Sequence, residues 1–365
     1  MSEHTAKPRT EKSILIVDLG GVMGGVEYYI ETLSSMLMER ARFLSLCVPV
    51  ELARRLRSKG VKVYRLPAFH WCKALRFLLA AAVLPYVVLR ERVQIVVING
   101  LLESVLLIPA RLLGCEAVYA RHGPFEDDLY KWYAKPWRYF PRLIARVCAG
   151  FASRVICVSE DVGKGVRKVV PEERVSVIPL WVPELPPYKG QNKQLASPVR
   201  VLYVGRLERY KGLYLLLEAM RDIANLRLTV VGDGGYRKHL EELARGMDVH
   251  FEGFQADPTR YYSETDIFVM PSLGPEGFGI VTMEAMAHGV PCLISDLEVH
   301  KEVTATGTAA MLFRSGDAED LKRKLCLLIE DTQLRMGYSS AGHRRVQDVY
   351  SQDIALKQYL YAFGL

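Results

Sequence analysis

The amino-acid sequence predicts an α/β protein with two doubly wound parallel sheets. From Ser13 onward, short runs rich in β-branched and apolar residues alternate with longer helix-like stretches, which is typical of strand–helix–strand units. The alternation stops at a proline-rich segment near Leu185 and then starts again. The chain has 365 residues, 50% of them hydrophobic, which is enough apolar material for two cores. A chain of this length usually divides into domains, because single cores stop growing near about 250–300 residues.

Each apolar run is assigned to one strand. The strands predicted in the first half are Ile14–Asp18, Phe43–Val48, Val61–Leu66, Gln94–Ile98, Glu116–Ala120, Arg154–Val158 and Val175–Ile178. Those predicted in the second half are Val199–Val204, Leu226–Val231, Val249–Phe251, Ile267–Met270, Pro291–Ser295 and Ala310–Phe313. Ligands of such sheets bind beyond the carboxyl ends of the strands, so we expect the polar chemistry on the loops that follow them.

The same pattern predicts the domain boundaries. Residues 1–183 form the first domain, 184–198 a stiff linker that contains several prolines, and 199–345 the second domain. Residues 346–365 are apolar at helical spacing, so we expect this C-terminal helix to pack back on the first domain.

Charge is distributed unevenly between the two halves. Residues 1–185 contain 27 Lys and Arg against 18 Asp and Glu, whereas the rest of the chain is close to neutral. Aromatic and basic side chains are interleaved over residues 131–154, and residues 71–92 form an apolar stretch with flanking arginines. This composition favours an anionic membrane surface as a partner. A solvated basic face is the alternative, and no recognition module for nucleic acid is present.

Compartment is inferred from cysteines and from apolar segments. The seven cysteines are scattered and never form a C-x-x-C pair, which favours a reducing compartment and argues against structural zinc. The polar N-terminal residues lack the apolar core of a signal peptide. The run Phe77–Leu89 is shorter than the about 20 residues that a membrane-spanning helix needs. We therefore expect a cytoplasmic protein at the inner face of the cytoplasmic membrane.

The segment between Asp266 and Asp296 contains the most informative motif. A strand is followed by a loop rich in glycine and proline, and a helix begins near Gly279, where unpaired N–H groups favour a phosphate. Glu276 and Glu284 have the spacing E-x7-E. Glu284 stands in an apolar helix and needs a partner, which a pair of sugar hydroxyls would supply. A structural arginine or a backbone amide would also satisfy this carboxylate.

Further motifs follow the strands in order. They are Gly205-Arg206-Leu207, Lys211-Gly212, Gly232-Asp233-Gly234 and, near the N-terminus, Gly24-Gly25-Val26-Glu27. Together with E-x7-E, these motifs make the chain resemble the retaining nucleotide-sugar glycosyltransferases of family four, over nearly its whole length. The resemblance implies the GT-B architecture, in which two Rossmann-like domains face each other across a cleft.

The resemblance also implies roles for individual residues of the second domain. Arg206 and Lys211 would hold the donor diphosphate, Glu284 the ribose hydroxyls, and Glu276 the hydroxyls of the sugar ring or the immediate surroundings of that ring. The remaining donor-binding residues implied are Gly205, Gly253, Phe254, Gly277, Phe278, Gly279 and Ile280. Phe254 would lie along the base, although an ordinary place in the core is equally open.

In the first domain, the resemblance implies that the loop with Gly24 and Gly25 faces the donor phosphates and the acceptor. His122 follows a strand and would lie beside the transferred sugar, donating a hydrogen bond to it or steering its reacting carbon. We expect no metal site and no cofactor, with the nucleotide sugar as a substrate. One departure is that Leu180-Trp181-Val182 stands where such proteins usually have Asn-Gly-Val, so details of the hinge are open.

The predicted activity is transfer of a sugar from a nucleotide-diphosphate sugar to a hydroxyl of a glycan or lipid-linked acceptor, with retention at the anomeric carbon. The alternatives are an epimerase or sugar-phosphate synthase of the same fold and a catalytically silent membrane-associated scaffold. A nicotinamide oxidoreductase is disfavoured because the first loop lacks the G-x-G-x-x-G spacing. We also expect alanine at Lys211 or Glu284 to reduce donor turnover while hardly changing the melting temperature.

Overall fold

The computed structural model describes residues 12–20, 25–67, 73–123, 139–188 and 194–365. The chain divides into two compact units, one formed by Met1–Ile178 with Ala355–Leu365 and the other by Pro179–Ile354. The predicted boundaries at 183/184 and 345/346 therefore differ from the observed ones by five and nine residues.

The first unit contains a seven-stranded parallel sheet in the order β3-β2-β1-β4-β5-β6-β7. Its strands are β1 (Ser13–Asp18), β2 (Arg42–Cys47), β3 (Lys62–Arg65), β4 (Ile95–Asn99), β5 (Glu116–Arg121), β6 (Arg154–Cys157) and β7 (Val175–Val177). Its helices are α1 (Gly25–Leu37), α2 (Val50–Ser58), α3 (Lys73–Glu91), α4 (Leu107–Leu112), α5 (Tyr139–Ala149), α6 (Glu160–Val166) and most of α14 (Gln352–Phe363).

The second unit contains a six-stranded parallel sheet in the order β10-β9-β8-β11-β12-β13. Its strands are β8 (Val199–Val204), β9 (Leu226–Val231), β10 (Val249–Gly253), β11 (Ile267–Met270), β12 (Cys292–Ser295) and β13 (Met311–Phe313). Its helices are α7 (Leu213–Met220), α8 (Arg237–Leu243), α9 (Thr259–Glu264), α10 (Ile280–Ala287), α11 (Glu298–Val303), α12 (Ala318–Glu330) and α13 (Thr332–Val349).

The thirteen predicted strands are all present, and their ends differ from the prediction by at most two residues. Central strands such as β1 and β4 are buried along their whole length. A parallel strand covered by helices on both faces reads as a continuous apolar run, which is why these segments were recognisable in the sequence. None of the described helices is both long enough and apolar enough to cross a bilayer.

Strand order reverses once in each sheet, and this fixes where ligands can bind. The reversal lies between β1 and β4 in the first unit and between β8 and β11 in the second. In open α/β sheets, the loops after the two strands at such a switch point diverge and leave a crevice at the carboxyl edge. The loops after β1, β4, β8 and β11 are therefore the places to examine for function.

The segment from Val182 to Tyr188, which includes the start of the predicted linker, packs on the second unit. Val182 donates its backbone N–H to the carbonyl of Tyr350, at the end of α13. The hydroxyl groups of Tyr188 and Ser339 are hydrogen-bonded at 3.1 Å, and the ring of Tyr188 packs on His343. These contacts explain why the second unit begins at Pro179, before the proline-rich stretch.

Residues 355–365 belong to the first unit. The Tyr359 hydroxyl, on α14, donates to the hydroxyl of Tyr29 on α1 at 3.0 Å, and both side chains are buried. The Lys12 ammonium donates to the carbonyl of Phe363 at 2.8 Å. The C-terminal helix is thus held by named contacts on the N-terminal part of the chain.

Gly212 shows how closely the loops after β8 and β11 approach each other. Its φ is +69°, and a Cβ at this position would lie 1.9 Å from the carbonyl oxygen of Pro271. We expect Gly212→Ala to lower the free energy of unfolding by about 1–3 kcal/mol, because the side chain strains the backbone and displaces the neighbouring loop.

Denaturant unfolding would measure the effect of Gly212→Ala, with Gly337→Ala as the matched control. Gly337 lies within α13 and has no atom within 4 Å of the added Cβ. Alanine there should raise stability by up to about 1 kcal/mol, because alanine is the better helix former. Equal unfolding curves for the two variants would contradict the close packing described for Gly212.

Candidate functional site

Arg206 lies in the loop after β8, at the carboxyl edge of the second sheet. Its side chain is exposed, and Nη2 donates to the hydroxyl of Tyr210 at 2.6 Å. The Tyr203 hydroxyl donates to the Arg206 carbonyl and holds this loop in place. A Cβ added to Gly205 would lie 3.0 Å from the same hydroxyl oxygen, so the backbone passes close to Tyr203. Arg206 makes no ion pair with any described residue, so its charge is available to an anionic ligand.

Lys211 and Glu276 form a buried ion pair between the loops that follow β8 and β11. Lys211 Nζ donates to Glu276 Oε1 at 2.5 Å, and the hydroxyl of Ser272 donates to the same oxygen at 2.6 Å. Each member of the pair is 8% exposed. Burial by itself raises the pKa of Glu276, but the charge of Lys211 and the hydrogen bonds from Lys211 and Ser272 lower it, and the net shift is downward. Glu276 is therefore ionised and paired.

The start of α10 presents unbonded backbone donors at the same edge. Gly279 caps this helix with a φ of +87°, a conformation that glycine adopts at little cost. The N–H groups of Phe278, Gly279 and Ile280 make no hydrogen bond within the described ranges. The Phe278 ring is buried against Tyr350, so only the backbone of this residue can contribute to a ligand site. Such a helix start favours an anion.

His300, on α11, lies directly behind Gly279 and was not singled out in the sequence. Its side chain is completely buried, and Nδ1 lies 2.8 Å from the carbonyl of Ser295, to which it donates. Burial lowers the pKa of His300, so the imidazole is neutral and Nε2 carries a lone pair. Within the described residues this buried Nε2 has no hydrogen-bond partner.

Glu284 projects from α10, and its partner is Tyr262 of α9. The Tyr262 hydroxyl donates to Glu284 Oε2 at 2.8 Å. Neither an arginine nor a backbone amide pairs with this carboxylate among the described residues, so the structural alternative raised from the sequence is not what the structure shows. Burial raises the pKa of Glu284 to about 7, and the Tyr262 bond opposes this rise. The carboxyl group therefore changes its charge near neutral pH.

Gly253 is the last residue of β10, and Phe254 follows it. The carbonyl of Gly253 accepts a hydrogen bond from the N–H of Gly232, after β9, at 2.8 Å. The Phe254 side chain is 61% exposed, so the alternative of an ordinary core position does not hold. An exposed aromatic ring at the carboxyl edge of the sheet is available for stacking on a planar ligand.

In the first unit, His122 follows β5 and contacts two other elements. Its Nε2 lies 3.0 Å from Oδ1 of Asn99, the last residue of β4, and its ring packs edge-on against Tyr29 of α1 at 4.6 Å between centroids. Burial, followed by the charge of Arg121, lowers the pKa of His122 to about 3. Gly25 is the first residue of α1, and Gly24 lies outside the described residues.

The predicted residues thus separate by unit. The residues predicted in the second domain lie at one edge of the second sheet, at or beyond the ends of β8, β10 and β11: Gly205, Arg206, Lys211, Gly253, Phe254, Glu276, Gly277, Phe278, Gly279, Ile280 and Glu284. His122 and Gly25 belong to the first unit. Sequence reasoning missed Ser272, Tyr262, His300 and Asn99. No local signal marks Tyr262, His300 and Asn99, because each contacts a site residue from another element of the fold, whereas Ser272 lies four residues before Glu276 in the same loop.

Two family descriptions match the two units in turn. Residues 23–184 match "Glycosyltransferase Family 4", and residues 198–331 match "Glycosyl transferases group 1". The chain belongs to glycosyltransferase family 4. This confirms the family that the motifs after the strands indicated.

Two curated relatives of this family 4 chain match it over part of their lengths. It is 37% identical over 143 residues to the sulfoquinovosyl transferase SQD2 of Arabidopsis thaliana, a match that covers 37% of this chain and 27% of that protein. It is 36% identical over 155 residues to the phosphatidyl-myo-inositol mannosyltransferase of Mycolicibacterium smegmatis, covering 40% of each. The matched regions therefore span less than half of these relatives.

A solved structure matches the fold of nearly the whole chain. HepE from Anabaena, in complex with UDP and glucose, aligns with a TM-score of 0.84 and 20% sequence identity. The alignment covers 97% of this chain and 100% of that chain. The predicted fold class, GT-B with two Rossmann-like parallel-sheet domains, is confirmed.

Proposed function

We propose that this family 4 chain transfers a sugar from a nucleotide-diphosphate sugar to a hydroxyl of a lipid-linked or envelope-glycan acceptor, with retention at the anomeric carbon. The observation that carries the proposal is the edge of the second sheet at β8 and β11. Three kinds of donor occur there together: the guanidinium of Arg206, the buried ammonium of Lys211 and the N–H groups at the start of α10. Among the described residues, Arg206 has no ion pair and these N–H groups have no hydrogen bond. Retention is proposed from the family resemblance.

The groups at this edge suit a diphosphate that acquires negative charge as it leaves the sugar. Arg206 can donate two parallel hydrogen bonds to phosphate oxygens, and Lys211 has two N–H bonds beyond the one given to Glu276. The N–H groups at the start of α10 would bind the distal phosphate. These donors supply the positive charge that the transition state requires, so the proposed reaction uses no metal ion and no protein nucleophile.

Glu284 is proposed to bind the ribose hydroxyls, because its Oε1 makes no hydrogen bond among the described residues. Glu276 would orient the sugar through its backbone and its ion pair. UDP-glucose is the first donor to test, because UDP and glucose occupy the solved structure of HepE.

The test is a turnover assay with purified protein. UDP-, GDP- and ADP-sugars would be combined with polyprenyl-diphosphate and glycolipid acceptors, and product would be followed by mass spectrometry and by NMR of the anomeric proton. The proposal expects a product that forms only with acceptor and keeps the anomeric configuration of the donor. An altered free sugar without acceptor would favour the epimerase alternative. Absence of turnover and of thermal stabilisation with every donor would favour the silent scaffold.

The acceptor side is proposed to lie on an anionic membrane, at the inner face of the cytoplasmic membrane. α4 packs against both α3 and α5, so these three helices are neighbours. They expose large apolar side chains, which a soluble surface rarely concentrates. The exposed residues are Leu78, Tyr86 and Leu89 on α3, Leu112 on α4, and Leu143 and Val147 on α5. Much of the basic aromatic segment 131–154 lies outside the described residues, and so do residues 71–72 of the stretch 71–92.

We expect the protein to float with vesicles of phosphatidylglycerol and to bind phosphatidylcholine vesicles at least tenfold more weakly. Leu143→Ser with Val147→Ser should lower binding by tenfold or more, because each buried apolar side chain contributes about 1.5–3 kcal/mol. Tyr361→Ser is the matched control, since Tyr361 is 85% exposed on α14. Equal flotation of the two variants would show that α5 does not contact the membrane.

A further inference from the structure

Asn99 stands at the switch point of the first sheet, where β4 ends beside β1. Its side chain is buried, with 1% of the residue exposed. The amide nitrogen Nδ2 donates to the carbonyl oxygen of Val17, on β1, at 3.3 Å. The amide oxygen Oδ1 lies 3.0 Å from Nε2 of His122. Asn99 therefore connects the backbone of one strand to the imidazole that follows another.

These two contacts determine which nitrogen of His122 carries the proton. A backbone carbonyl can only accept, so the amide of Asn99 must present its NH2 group to Val17 and its oxygen to the imidazole. An amide oxygen also only accepts, so Nε2 of His122 must donate. The neutral ring then has its lone pair on Nδ1. Among the described residues Nδ1 makes no hydrogen bond.

The surroundings of His122 keep the ring neutral. Tyr29 of α1 packs edge-on against it, and the Arg121 guanidinium lies on the preceding residue. Burial and this neighbouring cation both disfavour an imidazolium. No described carboxylate is hydrogen-bonded to the ring to counter them. The Nδ1 lone pair therefore persists throughout the neutral pH range.

We propose that Asn99 is a positioning residue, which holds His122 in the Nε2–H tautomer so that Nδ1 accepts a hydrogen bond from a carbohydrate hydroxyl. The nature of the ligand rests on the proposed glycosyl transfer, whereas the tautomer follows from the contacts of Asn99. His122 thus acts as an acceptor toward the substrate, in place of the donor role expected from the resemblance. A substrate in which this hydroxyl is replaced by a methyl ether has no proton to donate to Nδ1 and would bind poorly there.

The tautomer can be read directly from 15N NMR of protein labelled in its histidines, with His122 assigned by the loss of its signals in His122→Asn. We expect the Nε2 signal of His122 to show a bonded proton and the Nδ1 signal to show none. The opposite pattern, with the proton on Nδ1, would overturn the proposal. This measurement needs no substrate.

Two substitutions of Asn99 form a matched pair. Asn99→Leu and Asn99→Asp both remove the amide donor to Val17, but only aspartate keeps an oxygen that can accept from Nε2–H. We expect Asn99→Leu to give a mixture of tautomers and to lower kcat by about tenfold with little change in KM for the nucleotide sugar. Asn99→Asp should keep the proton on Nε2 and recover most of the rate above neutral pH.

The pH profile adds a readout that a purely structural role would not change. A carboxylate at position 99 favours the imidazolium, so it raises the pKa of His122. In Asn99→Asp, kcat measured at saturating donor should therefore fall on the acid side as Nδ1 becomes protonated, whereas kcat of the wild type, in which His122 stays neutral, should not show this fall. Equal rates and profiles for both variants would refute the positioning role. If no donor and acceptor give transfer at all, the proposed function and the hydroxyl ligand fail together, while the NMR result still decides the tautomer.

Discussion

Lys211→Ala should lower kcat/KM for sugar transfer by at least tenfold and also destabilise the second unit. A charged hydrogen bond to phosphate is worth about 1.5–3 kcal/mol, and each 1.36 kcal/mol is a factor of ten in rate. The loss of stability arises because Glu276 would stay buried without its cation, which costs about 3–5 kcal/mol. We expect the melting temperature to fall by roughly 10 °C. The sequence alone led us to expect a nearly unchanged melting temperature, and the buried ion pair between Lys211 and Glu276 changes that expectation.

A double variant separates the two effects. Lys211→Met with Glu276→Leu removes both charges, so it should recover most of the lost stability without restoring turnover. Lys301→Ala is the matched control, since Lys301 pairs with Glu298 on the exposed face of α11 and should change neither quantity measurably. Calorimetry and initial-rate assays would measure both. A double variant as active as the wild type would show that neither side chain serves the reaction.

Donor affinity should depend on the ionisation of Glu284. Because the pKa of this carboxyl is raised to about 7, only the ionised form above that pH can accept from both ribose hydroxyls fully. We expect the Kd for UDP-glucose to weaken by about tenfold for each pH unit below 7 and to level off above it. Isothermal titration calorimetry from pH 5.5 to 8.5 would measure this, with a nucleotide sugar chosen because its diphosphate does not titrate in this range.

Two variants test whether Glu284 is the group responsible. Glu284→Gln should bind UDP-glucose at least tenfold more weakly and without the pH dependence. Tyr262→Phe removes the hydrogen bond that lowers the pKa of Glu284, so the midpoint should move to higher pH. Glu241→Gln, on the exposed α8, is the control and should behave like the wild type. An unchanged pH profile in Glu284→Gln would exclude Glu284 from the donor site.

The same carboxyl should affect folding with a defined sign. The folded protein holds the proton on Glu284 up to about pH 7, whereas the unfolded chain releases it near 4.5. Its contribution to stability is therefore fully present below pH 4.5 and is lost as the pH rises through 7.

The architecture was predictable from the sequence because its signal is local. A parallel strand covered on both faces reads as an apolar run such as Ile14–Asp18, and the helix start at Gly279 is marked by its glycines. The boundaries between the two units were harder to predict from the sequence. The backbone hydrogen bond between Val182, two residues before the predicted linker, and Tyr350, directly after α13, joins residues 168 positions apart and cannot be inferred from either segment alone.

The partners of the site residues were hidden for the same reason. The E-x7-E spacing identified Glu276 and Glu284, yet the pKa of Glu276 depends on Lys211 and that of Glu284 on Tyr262, and these partners come from other elements of the fold. Asn99 reads as the polar end of a strand, and only the fold places it between Val17 and His122. Chemistry fixed by residue type was predictable, whereas protonation state required three-dimensional contacts.

The attachment of α14 to the first unit has a consequence for biosynthesis. Domains usually fold one after another as they leave the ribosome. Here the partner of Tyr29 is Tyr359, which is translated only after the whole of the second sheet. The surface of α1 that packs on α14 therefore stays uncovered while the second unit is synthesised. The first unit can complete its fold only after that synthesis.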